Sequence, residues 1–144
     1  MNDTRNDNKA SMVLVMCALL LFVVIDVGFR LFGFGAVVGA LVARARRIGA
    51  RKTVLGECKA VGRRTFHAVC VATRYYYRTR LDCLPKALTT DCLLLAQGVR
   101  AELCLGVKRY PFAGHAWVEV EGERLDDSPS ARYRAGVYTI LQKF

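Results

Sequence analysis

The chain has 144 residues, enough for one domain of ordinary size, and 53% of them are apolar. That composition excludes an intrinsically disordered chain and supplies a core. The formal net charge of +10 is concentrated in one place: residues 30–80 hold twelve Lys/Arg against one acid, Glu57, whereas residues 81–144 balance eight against eight. A basic block attracts nucleic acid, an anionic membrane surface or an acidic peptide, and it also serves as a plain solvated helix face.

Residues 1–11 are polar and predict a frayed tail. Residues 12–25 form an unbroken apolar run, and Asp26 and Arg30 follow four residues apart, close enough to pair on a helix face. Fourteen residues are short for a membrane span, which needs about 20. The leader is not basic and no small-x-small cleavage site follows, which argues against a signal peptide. Residues 31–43 continue apolar and glycine-rich. Two apolar helices are expected, 12–32 and 36–48, broken near Gly33 and Gly35. Three placements stay open for them: a membrane hairpin, attachment at the membrane surface, or packing on the domain or a partner.

A helix is expected over 53–80, with Val54, Leu55, Cys58, Val61, Phe66, Val69 and Cys70 near helical spacing and basic residues between them. Tyr75, Tyr76 and Tyr77, interleaved with Arg74, Arg78 and Arg80, resemble a base-stacking platform, but such a cluster also suits an amphipathic helix end. The six cysteines form no C-x-x-C pair and predict free thiols in a cytoplasmic protein. Cys58, His67 and Cys70 match no zinc spacing, so no metal is expected.

The stretch L-D-C-L-P-K-A-L-T-T-D-C-L-L-L-A-Q-G predicts a helix with Pro85 in its first turn and Gly98 just past its end. Leu84, Leu88, Cys92 and Leu95 share a face. Cys83 therefore opens a buried helix, where free N–H groups and the helix dipole favour the thiolate. Beyond Gly98 the period becomes two. Strands are expected at 101–107 and 115–120, then a turn at Glu121-Gly122 and a short strand 123–125. In the second strand Ala116, Val118 and Val120 face one way, and His115, Trp117 and Glu119 the other.

A cysteine nucleophile needs an imidazole within reach and an acceptor that fixes its tautomer. The order here is Cys83 at a helix start, His115 on a strand, then Asp126 or Asp127 after the hairpin. His67, the other histidine, lies in a basic helix with no acid beside it and reads as structural.

The helix start C-L-P-K-A-L, the strand A-E-L-C-L-G-V and the segment G-H-A-W-V-E-V-E-G-E-R-L-D-D-S-P resemble the lasso-peptide B protein, the leader peptidase of lasso-peptide biosynthesis, over about residues 80–140. The resemblance implies an α+β fold: a transglutaminase-like (papain-like) cysteine peptidase core at 53–144 with a helical N-terminal extension at 1–52. It implies Cys83 as nucleophile, His115 as base and Asp127, twelve residues past the histidine, as the orienting carboxylate, with Asp126 second. It implies no cofactor. The implied partners are a precursor peptide, a separate winged-helix-like leader-binding protein and an asparagine-synthetase-like lasso cyclase, with membrane-surface contact through residues 12–43 as a further expectation. Two rival readings are a transglutaminase-type acyl transferase and a non-catalytic basic module for nucleic acid or anionic membrane. The second is disfavoured because the ordered motif sits in the charge-neutral half and the basic half has no base-reading signature.

Overall fold

A computed structural model describes residues 3–50, 52, 56–76, 83–109, 112–125 and 138–144, with side chains from residue 11 onward. Helix α1 runs Asp3–Phe32 and α2 runs Phe34–Gly49. The expected break falls at Gly33, whose φ of 76° suits a residue without Cβ. The tail expected at 1–11 is instead helical from Asp3. Extending an existing helix costs far less than starting one, and Asp3 and Asp7 lie at the helix end that favours acids.

Helix α3 runs Cys58–Tyr76, inside the expected 53–80, whose remaining residues include some that lie outside the described ones. Its buried residues are Gly62, Thr65, Ala68, Val69 and Ala72, a small-residue face that admits close neighbours. At Gly62 the side chains of Val120 and Leu125 come within 3.5 Å of where a Cβ would stand. The far end of α3 is tied to α1: the Tyr76 hydroxyl donates to Asp26 Oδ2 at 3.1 Å, and the Phe22 and Tyr76 rings lie 5.6 Å apart.

Helix α4 runs Cys83–Ala96, and every residue from Ala87 to Leu95 is buried. It packs against α1, α2, α3 and strand β2. Its end is closed as the sequence suggests: Gly98, at φ 84°, donates to the Leu95 carbonyl, and Val99 donates to the Leu94 carbonyl.

Four antiparallel strands follow: β1 Glu102–Lys108, β2 Ala113–Val120, β3 Glu123–Leu125 and β4 Thr139–Lys143, in the order β3-β2-β1-β4. The first three match expectation within two residues at each end; β4 was not foreseen. The β2–β3 turn has φ of 49° at Glu121 and 75° at Gly122, the left-handed pair that suits a two-residue hairpin. The sheet presents Leu103, Ala116, Val118, Val120 and Leu125 to the core, where they meet Leu88, Leu94 and Val99. Ile25, Val38, Val42 and Ala45 of the first two helices enter that same core. Among the described residues α1 and α2 touch no strand, so they lie across α4 from the sheet.

One residue in this core opposes folding. Asp91 is fully buried, and neither carboxylate oxygen has a hydrogen-bond partner among the described residues. Burial pushes its pKa up to about 7, with Arg46 of α2 offsetting part of the rise. The folded chain therefore holds a proton on Asp91 that the unfolded chain releases near pH 4, so stability falls as pH rises from about 4 to about 7 and is flat above. The loss is at most roughly 4 kcal/mol. Asp91→Asn should remove this slope from melting temperatures measured between pH 4 and 8. A wild type and variant with the same pH slope would show that the carboxyl has a partner after all.

Candidate active site

Cys83 is the first residue of α4, and Pro85 occupies the first turn, where its missing N–H costs nothing. Because α4 is buried along its length, its N-terminus is held against the sheet where β2 begins. There Cys83 meets His115, two residues into β2. The hydrogen bond to His115 is the main influence on the thiol and holds its pKa below the ordinary range. Partial burial works against this, while backbone hydrogen bonds from Ala116 and Cys83 itself add to the lowering. Three other cysteines shift oppositely. Burial raises Cys58, pushes Cys92 up to about 12 and Cys104 up to about 11. All six are free thiols, so the tuning singles out Cys83 on chemistry rather than on pairing.

His115 is held by rings. It stacks on Trp117 at a centroid distance of 6.0 Å and an interplanar angle of 20°, and Tyr138 lies 5.5 Å away on another side. Trp117 is itself pinned. Its indole N–H donates to Glu119 Oε1 at 2.9 Å, and the Arg124 guanidinium sits 4.2 Å over its ring. The ring lies over Gly106 of β1, where a Cβ would stand only 2.8 Å from two ring carbons, so this position requires glycine. The register supports the arrangement: Gly106 is opposite His115 and Cys104 is opposite Trp117. Glu119 extends the chain of contacts, since Lys143 of β4 donates to its second oxygen at 2.9 Å and also to Glu102. Burial opposes charge on Glu119, but the Trp117 N–H and Lys143 together keep its pKa below the usual carboxylate range.

The structure thus brings together Cys83 and His115, and confirms the face that the strand alternation assigns to His115, Trp117 and Glu119. Asp127 and Asp126 lie outside the described residues. His67 is exposed on α3. No group of three or more His, Cys, Asp or Glu suited to a metal occurs among the described residues. Sequence reasoning missed Gly106, Arg124 and Tyr138. Arg124 was within reach of inference, because the two-residue turn pairs Val120 with Glu123 and so sets Arg124 opposite Glu119. Tyr138 lies far along the chain from His115 and carries no local signal.

A depressed thiol pKa that depends on the imidazole has a direct readout. The rate of Cys83 alkylation by iodoacetamide, followed site by site by mass spectrometry, should rise at lower pH than for Cys92 or Cys104. His115→Ala should move the Cys83 profile to higher pH and leave the other two in place. An unmoved profile would remove His115 as the cause.

Comparison with known proteins agrees with this layout. Residues 20–139 match the model of the transglutaminase-like superfamily, from within α1 to the start of β4. The chain is also 36% identical over 56 residues to the microcin J25-processing protein McjB of Escherichia coli, a match covering 39% of this chain and 27% of that protein. No solved structure gives a significant match. The two matches support the resemblance to lasso-peptide B proteins. With an α+β fold, a helix-borne cysteine and a strand-borne histidine in the expected order, the chain belongs to the transglutaminase-like superfamily.

Proposed function

We propose that this chain is a cysteine peptidase that removes the leader from a ribosomally made lasso-peptide precursor before macrolactam closure. The observation that carries the reading is the hydrogen bond between Cys83, at the start of a buried helix, and His115 on the adjoining strand. The superfamily holds cysteine peptidases and acyl transferases, and the matched relative is named for processing microcin J25.

The chemistry follows from the side chains. The Cys83 thiolate attacks the carbonyl carbon at the leader–core junction, and the Cys83 backbone N–H supplies a donor for the developing oxyanion. His115 gives its proton to the departing core amine, leaving the leader as a thioester on Cys83. His115 then takes a proton from water, which releases the leader carboxylate and restores the thiol. Asp127 is assigned the task of holding the imidazole tautomer. In support, the residue two before Asp127 in sequence, Leu125, pairs with Val118 on the strand that carries His115. The stacked Trp117 ring and the tilted Tyr138 ring limit how far the imidazole can turn. A separate leader-binding protein is assigned to delivery and an asparagine-synthetase-like cyclase to the following step.

Cys83→Ala should lower cleavage of precursor by about 10³-fold or more, and His115→Ala should match it, because such residues act as a unit. Cys92→Ala should keep most activity, and Asp127→Asn should fall in between. Products should be read by mass. Free leader acid plus core peptide is the expected pair, whereas leader joined to an added amine would make the chain an acyl transferase. Near wild-type cleavage by Cys83→Ala would overturn the nucleophile.

Delivery has its own test. A protein that holds the leader raises the effective concentration of the scissile bond at Cys83 and should speed cleavage of full-length precursor by on the order of 10²-fold. Cleavage of a short peptide spanning only the junction should be unaffected. Full-speed cleavage of precursor by the isolated chain would place leader recognition in this chain itself.

A further inference from the structure

Helix α1 is apolar on two opposite faces, and the fold covers one of them. Ala18, Phe22 and Ile25 are completely buried. Contacts with α3 and α4 cover that side, and the Tyr76–Asp26 hydrogen bond clamps it. Half a turn away, Met12, Met16, Leu20, Val23, Val27 and Leu31 are exposed, each by 46% or more, and at 100° per residue they fall on one continuous stripe. The segment Ser11–Phe32 is long and apolar enough to cross a membrane by length and composition. A helix facing water on that side carries polar residues there. From Met12 to Val27 this stripe has none, over a length of roughly 22 Å, and the exposed Arg30 follows at the angular position of Met12.

We infer that this outer face of α1 lies flat in the surface of an anionic phospholipid bilayer, with the helix axis parallel to the membrane. Three observations favour that occupant. The inner face is committed to the domain, so a spanning α1 would have to strip Phe22 and Ile25 from their pockets and break the Asp26 bond. The stripe is built of Met, Leu and Val and holds no Tyr or Trp, the aromatic anchors of protein interfaces, and Arg30 closes it at the helix end. The neighbouring helix α2, which also packs on α4, ends in exposed Arg44, Arg46 and Arg47, and the exposed Arg30 closes the stripe of α1. Cationic side chains near an apolar face suit anionic headgroups. Because α1 and α2 lie across α4 from the sheet, the face of β2 that carries His115 and Trp117 points away from the bilayer. This inference is independent of the peptidase reading.

The test uses the full chain and sedimentable vesicles of phosphatidylglycerol with phosphatidylcholine. Wild type should bind them, and bind phosphatidylcholine alone several-fold more weakly. Arg44→Glu with Arg47→Glu should abolish that lipid preference. Depth is read without disturbing the fold by Leu20→Trp, an apolar exchange, in vesicles carrying brominated acyl chains. The chain's one tryptophan, Trp117, should not be quenched, and the new one should be. Absent vesicle binding, or quenching of Trp117 alone, overturns the inference. So does concentration-dependent dimerisation that Leu20→Glu abolishes, which would put a second copy on the stripe.

Discussion

A helix buried along nine consecutive residues has no freedom to slide or tilt, and α4 is such a helix. Three helices and the sheet fix its axis, and the left-handed glycine at residue 98 fixes where it stops. Its first residue is therefore placed by the whole core rather than by its own loop. That is how a small domain can hold the Cys83 thiol beside the His115 imidazole. The same confinement explains Asp91. A position on a helix surrounded by apolar neighbours has no water to offer a carboxylate, and the group keeps its proton instead.

The site and its supports divide by how local their cause is. Cys83 and His115 were legible because each carries a signal within a few residues: Pro85 and a leucine face for one, strict alternation for the other. The hairpin at Glu121-Gly122 was legible because two residues and a glycine permit few turns. Tyr138 and β4 were not, because a short edge strand with every residue exposed has no burial pattern to betray it. The start of α1 was misjudged for a related reason. Polar residues near a chain end look like a tail, but helix propagation from an apolar neighbour carries them along.

The basic block at residues 30–80 resolves into separate uses. Arg63 pairs with Glu123 at 2.9 Å in an exposed ion pair that contributes little to stability. Arg46 lowers the cost of Asp91 from across the α2–α4 contact. Arg44 and Arg47, near the end of α2, are exposed and line a shallow concavity with Ala40, Ala43 and Ile48.

Strand β4 pairs with β1 across the whole interval from Lys108 to Thr139, while β1, β2 and β3 pair with their immediate neighbours in sequence. Closing a long loop costs entropy that short hairpins avoid. The meander that carries His115 and Trp117 can therefore assemble early and locally, and β4 has to find its place on an edge already formed. Lys143 then joins Glu102 and Glu119 and brings Tyr138 to the imidazole. The ring stack of Trp117 on His115 lies within the meander, whereas the contact from Tyr138 depends on β4 finding its edge.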